Sequence, residues 1–566
     1  MFARVRAVLV AIAIAALVAI ALVPAQPAYA ADISVTTTDD VVAADGVTSL
    51  REAVAEVNAA GEASTITLPP GTYTLDDDGA CAAGDEDGNA TGDLDYTAAQ
   101  PLTITGTGAT IAQTCAGQRV FEATSGGELV TMVGLTVSGG EGFGAAIVFR
   151  ADLVLTDVTV SDNDSGGAGT VVVNEDMGFG PSLTVTGSTI GPNTGSGLGI
   201  SFGAVTIADT TVAGNTASGV ALTDGALEVT DSLFEDNGAN GVTTSAQGNG
   251  LFTFTDSVSR NNGGTGVGCN NCGDLRIIRS TVAGNDGGGL NVVLDLDEAS
   301  DNLTTLIEDS SVVDNDTAGD GGALEVTATM PEAGTAQVVV SRSTLAGNTA
   351  TGRGGAIAAA QAAVRVTNST LVGNSAGTTA GAVSTDTGDV QLQHATIVEN
   401  TAPTAAHIDA GADLHAFGSI IAAGSGGPDC LVAGATTSTG YNVGGDNSCG
   451  LTGTGDVQNV ADPVLGPLQD NGGPTQTRVP LAGSPALSRI PAAACTVAVE
   501  DQRKAVRPAG GACESGAVEV APGGNGLAGT GVSLTELVVS ASGLVVAGTL
   551  LVLLMAAVRR RRSSAG

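Results

Sequence analysis

One eleven-residue pattern constrains this chain more than anything else in it: apolar-x-apolar-x-x-Ser/Thr-Thr-apolar-x-x-Asn, followed by a Gly-rich stretch. Clear copies occupy 205–215, 227–237, 338–348, 364–374 and 390–400, with a copy shorter at the front at 277–285; divergent copies surround Asn163, Asn193, Asn262 and Asn315. The spacings between successive Asn residues are 30, 22, 22, 25, 23, 30, 33, 26 and 26 residues. Repeats of this length belong to stacked architectures, in which no single repeat can bury its own apolar face.

Each copy holds two short runs of alternation. In 364–374, Val364 and Val366 form one run and Ser369 and Leu371 the next, so all four share one face of extended chain. Thr367-Asn368 lies between the runs and Gly373-Asn374 ends the second, both suited to corners. A third apolar patch follows, as at 380–383 and 356–357. Three short strands and three corners make one turn of a solenoid. With weaker turns near 102–111, 129–137 and 414–421, the reading is an all-β, right-handed parallel β-helix of about 13 turns and about 60 Å. The insertions 294–303 and 327–335 are expected to project as loops. The repeating Asn is expected to be structural, bonding the backbone of neighbouring turns. Thr189, Thr211, Thr281, Thr344, Thr370 and Thr396 are expected to point outward in a flat row that could contact ice or glycan; high β-propensity on an exposed strand accounts for them equally.

Such a core must be aliphatic, and composition agrees: 83 Gly, no Trp, four Tyr and one lysine, Lys504. The net charge of −39 argues against nucleic acid and anionic polysaccharides as partners and favours cations or neutral and basic partners.

The flanks divide the chain. Residues 1–30 read as a signal peptide, with Arg4 and Arg6, an apolar stretch over 7–23 and Ala28-Tyr29-Ala30 before the cleavage point. Residues 31–101 read as an N-terminal cap, 102–430 as the β-helix, 431–520 as a C-terminal module, and 521–566 as linker and tail. In the cap, Ser49 and Glu52 form a capping box, with a helix expected over 48–59. Strand, turn and strand are expected over 66–75.

Family resemblances attach to these flanks. Thr48-Ser49-Leu50-Arg51-Glu52-Ala53-Val54 with 66–75 resembles the CSLREA domain found before bacterial parallel β-helices, with Thr48 where that family has Cys. The segments 440–443 and 462–475, with Ser484-Pro485-Ala486, Asp501-Gln502-Arg503 and Gly516-Ala517-Val518-Glu519, resemble the choice-of-anchor Q domain. Ser488 and Lys504 stand where that module carries Asp and Gly. Leu527-Ala528-Gly529-Thr530-Gly531, an uncharged span over 537–558 and Arg559 to Arg562 resemble the sorting signal of actinobacterial sortase substrates. The resemblance implies secretion and cleavage after Thr530. It further implies linkage to cell-wall peptidoglycan, with a single transmembrane segment in the precursor.

Eight Cys in an exported chain favour disulfides, and proximity suggests Cys81–Cys115, Cys269–Cys272, Cys430–Cys449 and Cys495–Cys513. Cys269-Asn270-Asn271-Cys272 could alternatively be redox-active or bind metal. Asp314, Asp316, Asp320 and Glu325 could coordinate Ca²⁺, and Asp162/Asp164 and Asp314/Asp316 are spaced to share a strand face. His394, His407 and His415 fit no metal motif, and no nucleotide, flavin or haem signature is present. The expected function is a non-catalytic, wall-linked surface β-helix acting in adhesion, surface structure or contact with an extracellular glycan or neighbouring surface. The alternative is a polysaccharide lyase or glycoside hydrolase.

Overall fold

The structure, a computed structural model, describes residues 31–520 except 77–80, 82–88, 124–128, 151, 175–179, 246–249, 297–301, 330–334, 496–498 and 509–510. The expected signal peptide, and the sorting motif, apolar span and Arg cluster of 521–566, lie outside the described residues. Among the described residues, no helix is long and apolar enough to cross a membrane.

The chain winds as an all-β, right-handed parallel β-helix with about a dozen regular turns. One turn shows the plan: Ala363–Thr367 on the first face, Thr370–Val372 on the second, a two-residue strand Ser375–Ala376 at the corner, and Val383–Thr385 on the third. Neighbouring turns pair in parallel and in register. Val364 sits over Val390 and then Leu414; Leu371 over Ile397 and then Ile421; Val383 over Ile408. All of these side chains point inward and are fully buried, so alternation converts directly into a continuous aliphatic core. The copy read as starting at Ile277 is complete, because its strand begins at Leu275.

Two columns of corner residues explain the composition between runs. The residue before each buried Ser/Thr of the second column is left-handed, as at Asp209, Asp231, Asp256 and Asn368, and so, as at Asp162, Gly214, Asp236 and Asp314, is the residue before every ladder Asn but Asn193, which follows Pro192. That conformation costs an ordinary L-residue roughly 1–2 kcal/mol and suits Gly, Asn and Asp best.

The repeating Asn residues form the expected ladder. Asn285 is typical: its Oδ1 accepts from Asn262 N–H at 3.1 Å and Asn262 Nδ2 at 2.9 Å, while its Nδ2 donates to Ser259 O at 3.2 Å and Asn315 Oδ1 at 2.9 Å. The same geometry runs from Asn163 to Asn400. A second ladder, not anticipated, runs through the inward hydroxyls. Ser257 Oγ accepts from Ser232 N–H at 3.1 Å and donates to Thr255 O at 2.7 Å, and Ser280, Ser310, Ser343 and Ser369 continue it. Both ladders satisfy corner amides that the strands leave unpaired.

The stack extends beyond the expected limits of 102–430. Ala31–Ser34 already pairs with Ser64–Thr67, which pairs with 102–105, and at the other end Thr436–Gly440 and Val443–Gly444 add rungs. The expected loops at 294–303 and 327–335 are partly strand, since Leu294 and Asp295 pair with Ala328 and Thr329, and Asn302 with Thr335. The cap helix spans Leu50–Ala60, with the Ser49–Glu52 capping box formed in both directions and Gly61 closing it at φ +67°. The four disulfides join Cys81 to Cys115, Cys269 to Cys272, Cys430 to Cys449 and Cys495 to Cys513, with Cα separations of 5.3, 5.8, 4.8 and 6.0 Å.

After the last rung the chain turns back along the second face. Val372, Val398, Ile420 and Ala422 form an apolar patch packed by Ala486, Leu465 and Leu468. Thr370 Oγ1 donates to Gln502 Oε1 at 2.7 Å, Gln502 Nε2 donates to Thr344 Oγ1 at 2.9 Å, and Thr396 Oγ1 accepts from Ala517 N–H at 2.9 Å. Lys504, where the resembling module carries Gly, sits at φ +67°.

Candidate functional site

The register places Thr189, Thr211, Leu233, Val258, Thr281, Ser311, Thr344, Thr370 and Thr396 on successive rungs. Leu233 and Val258 interrupt the expected Thr row, and Thr344, Thr370 and Thr396 are buried beneath the returning chain. No continuous flat Thr face exists. Thr189, Thr211 and Thr281 face outward as expected, whereas the last three are covered, because Thr is equally good as an exposed strand residue and as a buried partner for Gln502. The apolar residues two places on, Val372 and Val398, were the available signal that this face is covered.

The acidic candidates separate as well. Asp162 and Asp314 hold the left-handed corner before a ladder Asn, and Asp164 and Asp316 follow that Asn, all exposed. Their spacing therefore reflects corner geometry. Asp320 accepts from Arg353 N–H at 2.9 Å and Nε at 3.0 Å, and Glu325 accepts from Asn291 Nδ2 at 3.0 Å. Burial, and then the nearby Asp320 charge, raise the Glu325 pKa. The four proposed Ca²⁺ ligands do not converge: among the described residues, the three-membered carboxylate group with oxygens within 4.8 Å of one another is Asp93, Asp95 and Glu122. That group is built around a cation, since Arg119 bonds Asp93 at 3.2 Å and Glu122 at 2.5 Å. The Cys269 and Cys272 sulfurs are bonded to each other, which removes them as metal ligands.

The three histidines do different things. His394 is fully buried under the returning chain, edge-on to Phe417 at 5.3 Å; burial and then the Arg507 charge hold it neutral. His407 ends the Asn ladder, with Nδ1 3.1 Å from Asn400 Nδ2 and Nε2 3.0 Å from Ala422 O. Burial lowers its pKa to about 4. His415 alone faces outward, half-buried.

His415 belongs to a depression of about 370 Å³ on the outside of the first face, lined by Arg365, Gln391, Leu392, Gln393, His415, Ala416, Phe417, Thr437 and Thr439. Register builds it. Arg365, Gln391, His415 and Thr437 stack on consecutive rungs, and beside them Thr367, Gln393, Phe417 and Gly440 stack in turn. A shift of register between Ala416 and Phe417 brings Gly440, with no side chain, beside the Phe417 ring. Phe417 is braced edge-on by His394 and by Tyr441 at 6.1 Å. The result is a fixed, concave surface with a guanidinium, an imidazole, two primary amides, two hydroxyls and an aromatic edge, and no carboxylate in its lining. Those groups can hydrogen-bond hydroxyls and stack on an apolar ring face. A pair of carboxylates for general acid and base is not among them. Sequence alone could not assemble this site, because its members lie 22 to 26 residues apart and meet only through register.

A family model described as "Right handed beta helix region" matches residues 143–304. Among solved structures, the mannuronan C-5 epimerase AlgE4 A-module of Azotobacter vinelandii is similar at 16% identity and a TM-score of 0.36, covering 62% of this chain and 93% of that one. The AlgE6 A-module of the same organism gives 18% and 0.33, covering 55% and 92%, and pectate lyase Pel9A gives 15% and 0.29, covering 56% and 76%. No curated protein matches this chain.

Proposed function

We propose that this protein is an exported, wall-linked surface β-helix that contacts extracellular glycan through the depression on its first face, without cleaving it. The observation that carries the reading is the lining: adjustable hydrogen-bond donors and acceptors around a braced aromatic ring, with no converging carboxylates. Rigid rungs hold these groups in place before any ligand arrives, which lowers the ordering cost of binding. Display at the wall follows from the resemblance of Leu527-Ala528-Gly529-Thr530-Gly531 and its flanks to a sorting signal, and sortase and peptidoglycan are the partners it implies.

The test is a panel of soluble polysaccharides incubated with the purified protein, with and without Ca²⁺. Retention of a glycan with no new reducing or unsaturated ends is the expected result. Accumulating ends would overturn it in favour of a lyase or hydrolase.

A further inference from the structure

The first-face depression carries a charge pattern that sets it apart from the rest of the molecule. The chain has 59 acidic and 20 basic residues, so nearly any exposed cation finds a carboxylate. The solenoid arginines do so. Arg260 pairs with Glu235 at 2.6 Å, Arg276 with Asp274 at 3.4 Å, Arg279 with Asp256 at 2.5 Å, Arg342 with Asp309 at 2.7 Å and Arg353 with Asp320 at 3.0 Å. Arg365 differs. Its one hydrogen bond is a long contact of 3.5 Å from Nη2 to Gln393 Oε1, a neutral group, and no ion pair reaches it among the described residues. Its neighbours up and down the column are Val339 and Gln391, neither of them acidic.

We infer that this depression binds a sugar bearing a carboxylate, with the Arg365 guanidinium taking the carboxylate. The inference rests on the glycan-contact reading above and names its ligand class. A guanidinium presents a planar fork that matches a carboxylate bidentately. Here it projects from a strand whose backbone is fixed on both sides by parallel rungs, so its base does not move. The column from Arg365 to Thr437 covers three rung spacings, about 14 Å, enough for more than one sugar unit. Along it Gln391 and His415 supply donors and acceptors for hydroxyls, and Phe417 offers an apolar surface beside them. Elsewhere the acidic surface repels such a polymer, so contact concentrates where carboxylates are missing.

The experiment compares calorimetric binding of acidic trimers (galacturonate and mannuronate) with neutral trimers (galactose and mannose) of the same linkages, to the intact protein and two variants. Arg365→Gln removes the charge at an exposed position, and Arg276→Gln is the control on the same face. An acidic trimer is expected to bind, to weaken about tenfold or more in Arg365→Gln, and to be unchanged in Arg276→Gln. Equal binding of acidic trimer by wild type and Arg365→Gln overturns the inference. Tighter binding of a neutral trimer overturns it too, while leaving glycan contact standing. Failure of all four trimers to bind overturns the inference and the reading beneath it together.

Discussion

Asn400 Nδ2 meets His407 Nδ1 at 3.1 Å, and there the asparagine ladder ends. Because an amide N–H can only donate, Nδ1 accepts, and the remaining ring proton sits on Nε2, facing Ala422 O at 3.0 Å. A neutral imidazole thus closes ten rungs of hydrogen bonds. In His407→Leu, Asn400 Nδ2 keeps Leu371 O and Val398 O, but Ala422 O loses its ring donor, and the change is expected to cost about 1–3 kcal/mol, read as a lower denaturant midpoint at unchanged m-value.

The same contact fixes a pH dependence. The folded His407 pKa, about 4, lies below its ordinary value of 6.5, so the folded state prefers the neutral ring. Its contribution is full above pH 6.5 and is lost as pH falls toward 4. Asp429, 3.6 Å away, opposes it, since burial raises that carboxyl to about 6 and its contribution is lost as pH rises from its ordinary range through 6. Replacing Asp429 with Asn is expected to make stability fall more steeply between pH 6.5 and 4, measured by denaturant titration at each pH.

Within the ladder, position decides the cost. Asn285→Ala removes a group with four hydrogen bonds and strands partners on both neighbouring turns, for an expected loss of about 3 kcal/mol. Ser257→Ala removes one acceptor and one donor, for about 1 kcal/mol. Equal losses for the two in chemical denaturation would show that the ladders are not ranked by their bonds.

The returning C-terminal chain carries a separate pH response. Glu514 is buried beside Glu519, and burial raises its pKa to about 7. The folded state therefore holds a proton that the unfolded state releases near 4.5, so its contribution is full below about pH 4.5 and is lost as pH rises through 7. Amide exchange over 511–519 is expected to be slower at pH 5.5 than at pH 8 after correction for intrinsic rates. Glu514→Gln is expected to remove most of that difference.

What could be read from the chain was whatever lay within one repeat. Asn spacing and the alternation at Val364, Val366, Ser369 and Leu371 placed the rungs, and Ser49 with Glu52 placed the cap helix. What could not be read was whatever depends on which rungs touch. Arg51 lies on a helix that the capping box and the spacing of Leu50, Ala53, Val54 and Val57 mark in sequence, but its burial against Asp40 at 2.8 Å depends on tertiary packing. Thr344, Thr370 and Thr396 read as surface because the segment that covers them lies 121 to 132 residues further on. Asp314 and Asp316 looked like ligands because a left-handed corner and a metal site recruit the same side chain. Arg365, Gln391, His415 and Thr437 share a groove only because their rungs are in register.

The most direct test of glycan contact is co-sedimentation of the intact protein with immobilised acidic polysaccharide, wild type against the Gln391→Ala/His415→Ala double variant. Both residues are outward-facing, so folding is expected to be unaffected. Wild-type protein is expected to sediment and the variant to stay in solution, with no polymer ends released by either. Equal sedimentation of the two, or steady release of ends by the wild type, would contradict the account.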